Sequence, residues 1–477
     1  MATLLTLPLE LLVAVSTHLS TPDLGSLRLT CKLAETSLYE WFSGEFFSKK
    51  QFMLTHPSLQ ALVDISKHPG FCKTLQHVII ATNVYNPDPR PFRDKKSADL
   101  YTQGYMAQKT LMATGIDRDM LTEAFQNLVN LHTVGIRDYH ATSRLRDGQS
   151  ASWASWGATT VWKDTGVHMS FANRNTYRPE NNSPFLTRVF PTVNYALGMA
   201  GRTPPSLEVI LRKELLPDST FDVPDFLLPT IEHVLRGYAS LLLSVSLAAE
   251  NPHTQFRQNT VENHHGRSLR RFLGYTPNLT HLRLNFHIDE TEDNANFLVW
   301  LGQSAPMPTP ESNNYLSPHP ISLPLLTTLD LGKVRILDDN LVAIVTKFAS
   351  TLGSLNLWKV GLYSDSNPGL PQGNKPNFWA ELLLRIIDIP QLDLEHIKLG
   401  LVRQDYLDRV SMRVGFQSEE DGHTTVLEKV EYKGKDWKTF LRGLMVNLVR
   451  PYQYPVRDEL ASEADSENED DFAAGHF

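Results

Sequence analysis

The sequence has almost no cysteine. Cys31 and Cys72 are the only two among 477 residues. Two thiols are too few for a disulfide framework and, by themselves, for a zinc site, so a reducing compartment, cytoplasmic or nuclear, is expected. There is also no apolar run approaching the roughly 20 residues that span a bilayer, so no membrane association is expected. Residues 1–19 are apolar but carry no basic stretch and are broken by Pro8 and Glu10, which argues against a signal peptide. Without secretion, the tripeptides Asn181-Asn182-Ser183 and Asn278-Leu279-Thr280 carry no glycosylation meaning. Basic excess is missing as well: 45 Lys and Arg face 53 Asp and Glu, a net charge of -8. A nucleic-acid partner is therefore not expected, because displacing counterions from phosphates needs a basic surface.

Signatures of chemistry are lacking too. The chain contains no G-x-G-x-x-G, no phosphate loop of the G-x-x-x-x-G-K-S/T type, no H-E-x-x-H and no G-x-S-x-G. His264 and His265 are adjacent, so in a helix or strand they point apart and make a poor metal pair. Asp338 and Asp339 read as a helix start, with Asp338 a candidate N-cap, and not as an acid–base pair. No catalytic, cofactor-binding or metal-ligating residue is expected, and the chain reads as a non-enzyme.

What is present is enough apolar material for a large core, 41% of residues against 21% charged, over a length that suits two or three domains. Residues 458–477 contain eight acids and no Lys or Arg, so the rest of the chain is close to neutral. This end reads as a solvated tail. Within it, Ser462 and Ser466 each have an acid three residues on (Asp465, Glu469) and are candidate phosphorylation sites for an acid-directed kinase.

Residues 5–43 carry the most local information. Pro8 suits a first helical position. Leu12, Val15 and Leu19, with Leu11 beside them, recur at i, i+3 and i+7 on one helical stripe. Ser20 or Thr21 is an N-cap candidate ahead of Pro22 and Asp23, and Leu24, Leu27 and Cys31 repeat the stripe. Leu38, Trp41 and Phe42 suggest a third helix. Forty residues bury little surface among themselves, so such a module usually needs a partner. The run Leu7, Pro8, Glu10, Leu11, Leu12, Val15, Leu19, Asp23, Leu24, Leu27, Cys31 and Lys32, in register without gaps, resembles the F-box. Ala34 departs from it, standing where many members carry an aromatic. The resemblance implies an all-α module that docks on a Skp1-type adaptor through Leu7, Pro8, Leu11, Leu12, Val15, Leu19, Leu24, Leu27 and Cys31, and through the adaptor joins cullin and RING subunits.

Beyond it, the form L-x-x-L-x-L recurs at Leu279/Leu282/Leu284, Leu326/Leu329/Leu331 and Leu352/Leu355/Leu357. Looser versions stand at Leu75/Val78/Ile80, Leu131/Val134/Ile136, Leu242/Val245/Leu247, Leu394/Ile397/Leu399 and Leu427/Val430/Tyr432. In leucine-rich repeats this pattern is a short strand with inward leucines followed by a returning helix or loop. Helical stripes lie between them: residues 98–112 and 117–127, Leu341/Val345/Phe348, residues 377–388, and Trp437/Phe440/Leu441/Leu444/Leu448 after Asp436. The frame positions 242, 279, 326, 352 and 394 are unevenly spaced, and only 26 of the intervals 37, 47, 26 and 42 falls in the usual 20–29. Excluding the proline-rich residues 303–324 and the Gly/Pro/Asn-rich residues 363–376 brings two more into range. Such irregular repeats are similar to those of F-box proteins of filamentous fungi. Residues 138–205, with Trp153, Trp156 and Trp162, lack periodicity. They read either as an insertion on the binding face or as a loop whose tryptophans cover the core.

The expected fold is α/β: a small helical F-box module (1–45), connecting helices and first repeat-like units (46–137), an irregular insertion (138–205), a leucine-rich-repeat-like stretch of strand–helix units (206–455) and the acidic tail (456–477). The expected role is a substrate-recognition adaptor of a Skp1–cullin–F-box ubiquitin ligase, with an unknown protein substrate. The alternative is an F-box/leucine-rich-repeat interaction scaffold not linked to degradation.

Overall fold

The computed structural model describes residues 7–87, 92–142, 147, 152–171, 183–247, 266–287, 291–305, 318–363, 377–406, 411–420 and 423–449. They divide into two compact units, Met1–Glu214 with Pro224–Tyr238, and Leu215–Val223 with Ala239–Phe477.

The first unit opens with three helices. α1 (Leu9–Thr17) starts on Pro8, whose carbonyl accepts the N–H groups of Leu11 and Leu12. α2 (Thr21–Thr30) is capped by Ser20, whose hydroxyl oxygen accepts the Asp23 N–H, satisfying one of the orphan donors of a helix start. α3 (Lys32–Phe47) begins at Cys31, whose sulfur accepts the Ala34 N–H. Leu12, Leu24, Leu38 and Phe46 form the core of this module, with Leu19, Leu27, Trp41 and Phe42 packed against it. Ala34 is wholly buried.

Strand and helix then alternate: β1 (Lys49–Met53), α4 (His56–Lys67), α5 (Phe71–Thr74), β2 (His77–Ala81), β3 (Asn83–Val84), α6 (Lys95–Thr114), α7 (Ile116–Asn127), β4 (Thr133–Arg137), β5 (Ala141–Thr142), β6 (Ser152–Trp153), α8 (Ala158–Thr165), β7 (Ser170–Phe171), α9 (Ser183–Ala200), β8 (Ser206–Ile210) and α10 (Leu228–Gly237). β1, β2, β4 and β8 pair side by side in parallel. Parallel neighbours need a crossover, which the helices supply. Phe52, Val78, Ile80, Val134, Ile136, Leu207 and Val209 alternate along these strands and are all buried. α4 packs on α7, α7 on α9 and α9 on α10.

Residues 138–205 are not one irregular insertion. Their last part is α9, a helix of the alternating series, with Phe185, Leu186, Val189, Phe190, Val193, Ala196 and Leu197 buried. Pro191 lies inside it, and an interior proline costs a helix about 3 kcal/mol. Burial of a whole apolar face outweighs that. The middle part lies against the edge of β1. The Trp156 N–H donates to the Gln51 carbonyl at 2.8 Å, and its ring stacks on Phe52.

The second unit contains β9 (Leu216–Pro217), β10 (Ser240–Ser246), α11 (Arg267–Gly274), β11 (His281–Asn285), α12 (Thr291–Gly302), β12 (Thr328–Leu337), α13 (Asp338–Phe348), β13 (Ser354–Tyr363), α14 (Phe378–Ile387), β14 (His396–Gly400), β15 (Arg403–Asp405), β16 (Ser411–Arg413), β17 (Gly415–Glu420), β18 (His423–Leu427), β19 (Lys429–Lys433), α15 (Trp437–Val446) and β20 (Leu448–Val449). β10 to β14 pair in parallel in strict chain order. Leu282, Leu284, Leu329, Leu331, Leu355, Leu357, Ile397 and Leu399 are buried at matched positions. This is a mixed α/β fold of parallel strands and returning helices, consistent with leucine-rich-repeat-like units.

Three expectations change here. The frame Leu242/Val245/Leu247 is four residues out: Leu241 pairs with Leu282 and Leu243 with Leu284, so the frame that matches Leu279/Leu282/Leu284 is Tyr238/Leu241/Leu243. An even offset keeps the same face inward, and Leu241, Leu243, Val245 and Leu247 are all buried. Buried Tyr238 stands where the pattern asks for a leucine, so the leucine pattern does not mark the true frame. The frame Leu427/Val430/Tyr432 is not a parallel repeat, since β19 runs antiparallel to β14. Asp338 is inside α13 and not its cap, which is Leu337. Asp338 and Asp339 are held instead by Arg385.

One backbone device repeats. Gly332, Trp358 and Gly400 share a register row, and the residue after each, Lys333 and Lys359 within their strands and Leu401 just past the end of β14, has φ of 55°, 54° and 51°. The left-handed residue flips the pleat. Leu329 and Leu331 face the core before it and Val334 and Ile336 after it; Leu355 and Leu357 before, Val360 and Leu362 after. Long strands thus keep one face apolar across a kink.

Candidate functional site

The three opening helices expose an apolar stripe. Leu12 lies in the module core; Pro8, Leu11 (53% exposed) and Val15 (45%), at i, i+3 and i+7, form one solvent-facing stripe of α1, and Leu9 (51%) is exposed on a different side of the helix. Leu29 near the end of α2 and Leu33 at the start of α3 are 89% and 54% exposed. The expected contact residues therefore separate. Pro8, Leu11 and Val15 are outward. Leu12 and Leu24 are interior and support the fold, which corrects their assignment as contacts. Leu7, Leu19 and Leu27 are half-buried, and Cys31 caps α3. Leu9, Leu29 and Leu33 were not distinguishable in sequence, because which of several neighbouring leucines faces out depends on how α2 and α3 pack on α1. The Arg28 guanidinium lies 3.5 Å from the centre of the Phe42 ring, and burial lowers its pKa. The start of α2 is also held from afar: Asp147 accepts the Thr21 N–H at 2.9 Å and its hydroxyl at 2.7 Å.

The second unit's sheet carries polar ladders on the face away from its leucines. Ser240 Oγ lies 3.4 Å from His281 Nδ1, and His281 Nε2 lies 2.9 Å from an Asp330 carboxylate oxygen. Asn356 donates to the other oxygen of Asp330 at 2.6 Å. The same arrangement recurs farther along. Ser354 Oγ is 2.9 Å from His396 Nδ1, and His396 Nε2 is 3.0 Å from Glu431. Burial opposes ionisation of Glu431, but His396, Lys433 and Lys398 together hold its pKa below the usual value. Serine, histidine and acid in series resemble a nucleophile relay. Their setting differs in a way that matters. The backbone N–H groups of Gly353 and Ser354 both donate to the Thr327 carbonyl, and those of Glu395 and His396 to the Gly353 carbonyl. None of these donors is left to stabilise an oxyanion beside Ser354. The ladders tie adjacent strands.

In the first unit the corresponding face holds His77, Arg137 and Glu208. Arg137 donates to Glu208 at 3.1 Å, and His77 Nε2 lies 3.5 Å from the same oxygen. Arg137 already neutralises that carboxylate. Burial, followed by Lys49, Arg137 and His132, pushes the His77 pKa well down. At the end of β4, Asp138 is wholly buried and accepts the N–H groups of Arg212, Lys213 and Glu214. Burial raises its pKa, while these three bonds pull it down.

Among the described residues no group of three or more His, Cys, Asp or Glu is placed to hold a metal, and no helix is long and apolar enough to cross a membrane. His264, His265, Ser462 and Ser466 lie outside the described residues.

No family model matches the chain, and no curated protein does. Among solved structures, the leucine-rich repeat-containing protein LegL7 from Legionella pneumophila aligns over 76% of this chain and 92% of its own, at 11% identity and a TM-score of 0.20. A superposition that loose carries no argument about fold or role.

Proposed function

We propose that the chain is a non-catalytic recognition subunit, in which the first three helices dock on a Skp1-type adaptor and the strand–helix units hold a target protein. The observation that carries this is the coincidence of the F-box-like run at residues 7–32 with an exposed apolar stripe, Pro8, Leu11 and Val15, on a module whose own core is already filled. Half-exposed leucine and valine side chains gain roughly 1 kcal/mol each when covered, and Pro8, Leu11 and Val15 at i, i+3 and i+7 make a docking face. Through the adaptor, cullin and RING subunits would bring a charged ubiquitin-conjugating enzyme near the target, raising its effective concentration. The chain itself would do no chemistry and work in the cytoplasm or nucleus.

The experiment is co-purification with a Skp1-type adaptor. Wild-type protein is expected to capture it, and Leu11→Glu and Val15→Glu to lose it with thermal midpoints unchanged, since both side chains are exposed. Wild-type protein that captures no adaptor overturns the reading. An interaction scaffold without degradation shares the adaptor contact and differs in one readout: no bound protein gains ubiquitin when cullin and RING subunits are supplied.

A further inference from the structure

Among the described residues, the edge strands β1 and β19 are protected in two different ways. On β1 the edge is covered, with the Trp156 N–H on the Gln51 carbonyl, and the strand carries Lys49 and Lys50. The edge strand β19 carries Lys429, Glu431 and Lys433. Charged edge residues, lysine above all, keep other chains from adding to a sheet.

β18 has neither protection. It ends the three-stranded sheet β18–β17–β20 and, among the described residues, pairs only with β17. Its sequence, His-Thr-Thr-Val-Leu, contains no Lys, Arg, Asp, Glu, Pro or Gly and has three consecutive β-branched residues, the composition that favours strand pairing. Thr424, Thr425, Val426 and Leu427 are all exposed, Val426 by 52% and Leu427 by 41%.

We propose that β18 is a homotypic docking edge that pairs antiparallel with β18 of a second copy of this chain. The occupant is chosen by the strand itself. A two-fold arrangement centred on Thr425 sets Thr425 against its mate and Thr424 against Val426, so every central cross-strand pair is β-branched and no charge meets a like charge. A five-residue strand pair buries less than the roughly 1,200 Å² of a stable interface, so the dimer is weak and concentration-dependent. Each copy carries a net charge of -8, so added salt strengthens it by screening the repulsion.

Sedimentation velocity of the full chain over a concentration series tests this, with hydrogen exchange at low and high concentration beside it. The expected result is a monomer–dimer shift that grows with concentration and with salt. It disappears in both Thr425→Lys and Thr424→Lys, whose thermal midpoints stay at the wild-type value. Amides 423–427 exchange more slowly at high concentration. A single species at every concentration overturns the proposal. So does a dimer that survives both lysine variants, which would place the contact elsewhere, for instance on the α1 stripe. Exchange at 423–427 that is independent of concentration overturns it without relying on any variant.

Discussion

At the scale of single residues, the sharpest liabilities are buried charges. Asp117, in the first turn of α7, has no exposed surface. Arg188 of α9 grips both its oxygens and also donates to the Met112 carbonyl at 2.6 Å, so one guanidinium joins α6, α7 and α9. Removing one partner of a buried pair costs about 3–5 kcal/mol because the other charge is stranded. Arg188→Ala should lose that much in urea denaturation, and Asp117→Ala/Arg188→Ala should lose less than Arg188→Ala alone. A double variant that is the weaker of the two would contradict this account. His77 gives a pH dependence. Its folded pKa lies well below the unfolded value near 6.5, so below that pH the unfolded chain binds a proton the folded one does not. Stability therefore falls as pH drops through 6.5, by about 1.4 kcal/mol at pH 5.5. His77→Gln should flatten this part of the profile of thermal midpoint against pH. An equally steep profile in the variant would assign the effect to other groups.

At the scale of elements, the repeated left-handed residue makes an unusual demand. A non-glycine residue there costs roughly 1–2 kcal/mol. In an ordinary strand alanine is preferred to glycine; at Lys359 the order should invert, with Lys359→Gly more stable than Lys359→Ala by about 1 kcal/mol. Equal thermal midpoints, or the ordinary order, would mean the kink relaxes. The same scale shows what was legible in the sequence. The Ser20 cap, the strands at Leu282/Leu284, Leu329/Leu331 and Leu355/Leu357, and the helices after them follow local rules of capping and period. α9 does not, because Pro191 opposes a helix locally and only its neighbours in the fold make the helix favourable. The β10 frame is hidden because Tyr238 fills its first leucine position and the apolar alternation runs on through Val245 and Leu247, which offer a false frame four residues later. The kink residues are lysines and a leucine, types with no preference for positive φ, so nothing in composition marks them. The candidate site divides the same way. The motif at residues 7–32 is visible as a string, but whether Leu11 or Leu12 faces outward is decided by packing against α2 and α3.

At the scale of the whole molecule, chemistry and recognition separate. The polar ladders at His281 and His396 lock strands to one another, while the apolar stripe on α1 and the edge of β18 are the proposed surfaces for meeting other chains. The strict order of β10 to β14 has a consequence for how the second unit forms. Each strand adds to the one made just before it and waits for none made later. Contacts in such a series are short-range along the chain, and the loop-closure entropy of each step is small. A nascent chain can therefore lay down its strands one by one as they leave the ribosome, each new strand templated by its predecessor. The antiparallel β19 arrives last and ends the series.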